Sequence, residues 1–170
     1  MAQARLAVII ESSDDGIIGQ DLEGIIIDWN RGAEKIFGFT AQEMVGTSLK
    51  RIVPADRQEE ENFILGKIRR GEKVEHFETM RQTRGGRLIQ VSLSESPIKD
   101  GAGNIIGASR IARDITAQKD RQRELSRVTR LYSALRQINQ SIVWTATRDE
   151  LFQKICTIIR KVRTWLCSPS

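Results

Sequence analysis

The chain has 170 residues, 39% of them hydrophobic and 29% charged. That is one ordinary domain plus a remainder, with enough apolar material to bury a core, which excludes wholesale disorder. The longest apolar runs, residues 6–10 and 24–27, fall far short of the ~18 residues a membrane span requires. No signal-like N-terminus is present, so the expected compartment is the cytoplasm.

The charge is unevenly placed. Residues 1–116 carry 16 Lys and Arg against 18 Asp and Glu; residues 117–170 carry 11 against 4. A basic tail on a near-neutral domain is one signature of nucleic-acid binding. Here the charges alternate with an apolar stripe and clustered aromatics are missing, so a solvated helix face is the preferred reading and nucleic acid is not an expected partner. Two cysteines, Cys156 and Cys167, give neither a disulfide framework nor a CxxC metal pair. One histidine, His76, cannot build a His-rich metal site.

In chain order, residues 3–11 read as a short helix. Ile17-Ile18-Gly19-Gln20 and Ile25-Ile26-Ile27-Asp28-Trp29 flank an Asp/Gly turn and read as a β-hairpin. Asn30 is placed to N-cap residues 31–37, which Gly38 stops. Thr40-Ala41-Gln42-Glu43 is a capping box. A helix is expected over about 57–70, ending at Gly71. Its run Glu59-Glu60-Glu61 points to successive faces and reads as solvated surface. Residues 74–82, 88–98 and 104–113 read as three strands joined by Gly-containing turns. In the middle one Ile89, Val91 and Leu93 alternate with Leu88, Gln90, Ser92 and Ser94. Five strands with short helices inserted after the second is an α+β pattern, its last three strands antiparallel.

From Thr116 a long helix runs to about Trp144. Leu125, Val128, Tyr132, Leu135, Asn139 and Ile142 recur at intervals of 3 and 4, an a/d seam with one polar position. A stripe of that kind calls for a partner, and a second copy in a parallel coil is the simplest one. A further capping box, Thr147-Arg148-Asp149-Glu150, opens a last helix. Gly85-Gly86 and Gly101-Ala102-Gly103 lie between strands, so they are turn glycines and cradle no phosphate.

The order of these pieces resembles the PAS family of sensory modules. The residues that carry the resemblance are Asp14-Asp15-Gly16-Ile17-Ile18, Trp29-Asn30-Arg31-Gly32-Ala33-Glu34, His76-Phe77-Glu78-Thr79, Ser96-Pro97-Ile98-Lys99-Asp100 and Arg113-Asp114-Ile115-Thr116. The resemblance implies a five-stranded antiparallel sheet with short helices over one face. It implies a non-catalytic sensor of 1–116 inside a histidine kinase or cyclic-dinucleotide enzyme. A signalling helix of 117–144 would follow, with Asp114, Ile115 and Thr116 passing changes in the sheet to that helix and its output domain. Residues 131–140 and 148–152 resemble the opening helices of a GAF domain, which makes 145–170 a truncated start.

For a ligand pocket the candidates are Ile36, Phe37, Leu49, Ile52, Phe63, Ile64, Val91, Leu93 and Ile111. No cofactor is required. Leu49 stands where the flavin-adduct branch of the family carries its cysteine. The helix over 57–70, where haem-binding members place their ligand, has no histidine. Three functions stay open at this point: a sensor of a small molecule, an interaction module whose core is filled by its own side chains, and nucleic-acid binding through the tail. An occupied apolar core favours the second.

Overall fold

The computed structural model describes residues 2–144, 152–153, 155–157 and 159–160. The chain divides into two units, residues 1–117 and 118–170. The first begins with α1 (Ala2–Ser12), β1 (Gly16–Gln20), β2 (Ile26–Trp29), α2 (Arg31–Phe37) and α3 (Ala41–Met44). Two 3₁₀ turns, Leu49–Ile52 and Ala55–Arg57, lead into α4 (Gln58–Arg69). Then come β3 (Val74–Gln82), β4 (Leu88–Lys99) and β5 (Ile105–Asp114), and the chain enters α5 (Thr116–Trp144).

Every strand pair is antiparallel, in the order β2-β1-β5-β4-β3. The last strand returns to lie beside the first, pairing Gly16 with Ala112 and Gln20 with Ala108. This is the α+β architecture the resemblance implies.

Local chemistry explains the joints. In the β1–β2 turn the Asp21 carboxylate accepts from the amides of Glu23 (3.0 Å) and Ile25 (2.8 Å). Asp100 repeats the device between β4 and β5, accepting from Ala102 and Asn104 at 2.9 and 2.8 Å. Such side-chain-closed turns are what Asp supplies. Glu43 reaches back to the amide of Thr40 at 2.9 Å, so the first capping box forms as read. The second, at 147–150, lies outside the described residues.

One face of the sheet is covered by α2, α3, the 3₁₀ turns and α4. Between them sits a core that includes Ile18, Trp29, Phe37, Met44, Leu49, Ile52, Ile64, Ile68, Ile89, Val91 and Leu93. Trp29 belongs to it. Its ring lies 5.5 Å from Phe37 and its indole N–H donates to the Phe39 carbonyl at 3.1 Å.

In the second unit the α5 seam residues Leu125, Val128, Tyr132 and Leu135 are all exposed. Asn139 and Ile142 lie on the same helix, with side chains outside the described set. No described helix is long and apolar enough to cross a membrane.

Candidate functional site

Of the nine pocket candidates, six are sealed. Phe37, Leu49, Ile52, Ile64, Val91 and Leu93 are at most 1% exposed and share one core. Ile36 is half-buried against them. Two do not line this space. Phe63 is 54% exposed, because the face of α4 that meets the sheet is Glu61, Ile64, Leu65 and Ile68, and Phe63 falls outside that helical stripe. The Lys67 ammonium lies 4.9 Å from its ring. Ile111 is 44% exposed, because β5 alternates and its neighbours Arg110 and Ala112 take the inner face.

The inner face carries more than apolar side chains. The expectation of a solvated Glu59-Glu60-Glu61 run holds for Glu59, which is exposed, and fails for the others: Glu60 is half-buried and Glu61 is 1% exposed, one turn before Ile64 and Leu65 on the buried stripe. It meets two buried arginines that the sequence reading did not single out. Arg110 of β5 donates through Nη1 to Glu61 Oε2 at 3.2 Å, and its Nη2 bonds Glu61 Oε1. The same guanidinium donates from Nε to Glu95 of β4 at 2.8 Å. Glu95 also accepts from the side-chain amide of Gln20 of β1 at 2.6 Å. Arg81 of β3 holds Glu60 at 3.0 Å and lies 3.5 Å from Glu61. Thr79 donates to Glu60 at 2.6 Å, and Arg57 closes the outer end on the same carboxylate at 3.0 Å. The network thus joins α4 to four of the five strands.

Its two buried arginines are unequally served. Burial works against the charge on Arg110, yet Glu61 and Glu95 outweigh it and hold the guanidinium above its ordinary range. Burial prevails at Arg81, which is held below its ordinary range; the Glu60 bond opposes this and the charge of Arg110 adds to it. Arg81 Nε and Nη2 and Gln20 Oε1 are buried without hydrogen-bond partners.

His76 is exposed at the start of β3, where a bulge between Val74 and Phe77 sets its φ at 51°. It lies outside the buried face. Among the described residues no cluster of His, Cys, Asp or Glu is arranged to hold a metal.

At the exit, β5 passes into α5 across Asp114, Ile115 and Thr116. Asp114 caps the helix by accepting from the Thr116 amide at 2.8 Å. Ile115 is buried and its amide donates to the Gln90 carbonyl at 2.9 Å. The Thr116 hydroxyl accepts from the Gln90 amide at 2.9 Å. The root of α5 is therefore fastened to β4 on both sides of Gln90.

A five-stranded antiparallel sheet with a helix-covered inner face and a helix rooted on its last strand is the architecture of a sensory-type module. The family model for the PAS fold matches residues 4–115, and the chain belongs to that family. Over 124 residues it is 32% identical to the signal transduction histidine-protein kinase AtoS of Escherichia coli K12, covering 73% of this chain and 20% of the kinase. It is 25% identical over 164 residues to the methanogenesis regulatory histidine kinase FilI of Methanothrix harundinacea, covering 94% of this chain and 18% of that one. The chain thus spans a fifth or less of the length of these kinases. The solved PAS domain of a Colwellia psychrerythraea protein superposes with a TM-score of 0.63 at 26% identity, over 69% of this chain and 99% of that one. The family match ends at residue 115, so it lends nothing to the GAF-like reading, whose residues 145–151 lie outside the described set.

Proposed function

We propose that this chain is a relay and dimerisation module of a larger signal-transduction protein, with a core filled by its own side chains. The observation that carries the reading is the junction at Asp114, Ile115 and Thr116. The last strand of the sheet runs directly into α5, and three hydrogen bonds tie that helix root to Gln90 and Asp114. A shift of β4 against β5 therefore has a rigid element on which to act. Six of the nine pocket candidates exclude solvent, which supports sensing of a partner's state over uptake of a small molecule. In the parent protein, a histidine kinase or a cyclic-dinucleotide enzyme, α5 would hand that state to an output domain.

The α5 stripe supports a second copy as partner. Leu125, Val128, Tyr132 and Leu135 are 52–73% exposed, and an isolated helix gains little from leaving them in water. Paired in parallel, they would form the seam, with Asn139 facing its twin to fix register. Light scattering on the full chain tests this: a dimer is expected, reduced to a monomer by Leu135→Asp. A monomeric wild-type chain, or a dimer indifferent to Leu135→Asp, refutes the seam.

A further inference from the structure

At one end of the sheet the start and the end of the module meet. Asn30 is 2% exposed and uses all its bonding capacity there. Its Oδ1 accepts from the amides of Ile17 (2.8 Å) and Ala33 (2.9 Å). Its Nδ2 donates to the carbonyls of Ile10 (2.8 Å) and Asp15 (3.1 Å). One side chain thus holds the last turn of α1, the loop at 13–15, the start of β1 and the start of α2. Glu11 of α1 adds a bond from the Arg31 amide at 3.1 Å. Gly32 lets the loop pack tightly: a Cβ there would lie 2.2 Å from the Asp15 carbonyl oxygen and 2.7 Å from that of Ser13.

The carboxylate of this same Asp15 turns to the other end of the chain. Arg113 donates to it through Nε at 3.0 Å and Nη2 at 2.7 Å, a two-pronged and therefore directional contact. Arg113 is the residue immediately before the junction at Asp114. We propose that α1 is the input element of the module, and that the Asp15–Arg113 clasp couples its seating to the root of α5. The proposal rests on the relay reading and names its input.

The route is short and passes along the rim of the sheet, outside the core. Unseating α1 withdraws the Ile10 carbonyl from Asn30 and loosens the 13–15 loop. Asp15 then no longer fixes Arg113, and the end of β5 gains freedom where α5 begins. The coupling is reciprocal by thermodynamic necessity, so fixing α5 tightens α1. Its size is bounded by the clasp, in which Arg113 is 66% and Asp15 26% accessible, so the expected effect is a few-fold.

Hydrogen exchange on the full chain tests the coupling, read at the amides of Gln90, Ile115 and Thr116. Ala7→Pro disrupts α1 within the intact chain, Asp15→Asn opens the clasp without changing its shape, and Thr116→Ala loosens the junction directly. Ala7→Pro and Asp15→Asn are each expected to speed exchange roughly three- to five-fold, and the double variant no more than either alone. Unchanged exchange in Ala7→Pro, or effects that multiply in the double variant, overturns the route. If Thr116→Ala speeds exchange while the other two do not, the clasp is refuted and the relay reading stands. If Thr116→Ala also leaves exchange unaltered, both fall.

Discussion

Replacing Glu61 by Gln keeps the size and most of the shape of the side chain but removes one negative charge from the middle of the buried network. Arg81 and Arg110, 0% and 1% exposed, would then share only Glu95 and the half-buried Glu60. Arg81, whose charge is already disfavoured by burial, would lose its nearest fully buried counter-charge. Removing one partner of a buried ion pair costs about 3–5 kcal/mol, because the charge left behind is neither solvated nor paired. For a unit of this size a kcal/mol moves the midpoint by about 4 °C, so Glu61→Gln should unfold about 12–20 °C below the parent chain. Thermal unfolding followed by circular dichroism reads this directly. The control is Glu59→Gln, two residues earlier on the opposite, exposed face of α4, which should stay within about 0.5 kcal/mol. A Glu61→Gln variant that melts within about 4 °C of the parent would refute the claim that these charges are buried and mutually dependent.

Gly32→Ala should destabilise by about 3 kcal/mol in urea unfolding, because the new methyl meets backbone carbonyls that cannot move aside; Gly85→Ala, with open space around it, should be close to neutral. Phe37→Ala should cost about 3–5 kcal/mol and Phe63→Ala under about 1 kcal/mol in thermal unfolding, a contrast that checks that Phe37 is core and Phe63 is not. The Arg113 bond holds the Asp15 carboxyl below its ordinary value, and the bonds from Thr79 and Arg81 do the same for Glu60 against the opposing effect of burial. Both groups are more acidic folded than unfolded, so their contribution is complete above the ordinary carboxylate range and is lost as pH falls through the folded values. Urea midpoints measured from about pH 6 down to about pH 2 should therefore decline, and less steeply in Arg113→Gln.

Much of the fold was legible because its signals are local. Asp21 and Asp100 close turns with their own side chains, Asn30 and Thr40 cap helices, and the alternation of Ile89, Val91 and Leu93 names the buried face of β4. Phe37 and Ile64, expected to line a pocket, are buried in the core that the same local patterns outline. The charged network was not legible, because its logic is tertiary. Glu61 in sequence is the last of three glutamates, and only the 3.6-residue period that links it to Ile64, Leu65 and Ile68 marks it as inward. Applying that period to the charged residue as well as to the apolar ones would have found it. Extending the β4 alternation two residues past Leu93 reaches Glu95 in the same way. Arg81 and Arg110 had no such cue, since their positions acquire meaning only when β3, β4 and β5 are laid side by side. The clasp between Asp15 and Arg113 spans 98 residues and follows from the return of β5 to β1.

The bulge at His76 has a consequence for how other chains can approach. A sheet of five strands ends in two open margins, and an unprotected margin recruits further strands from neighbours. Here β3 forms one margin, and its first half is kinked at His76 between the charged Glu75 and Glu78, which spoils the straight ladder an incoming strand would copy. The opposite margin, β2, is only four residues long and already occupied: Gly46 donates to the Ile26 carbonyl at 2.8 Å and Ile26 donates to that of Thr47 at 3.0 Å. The first half of one margin is spoiled by distortion, and the other margin is taken by a loop of the same chain. Both features work against the strand-by-strand accretion that ends in fibres.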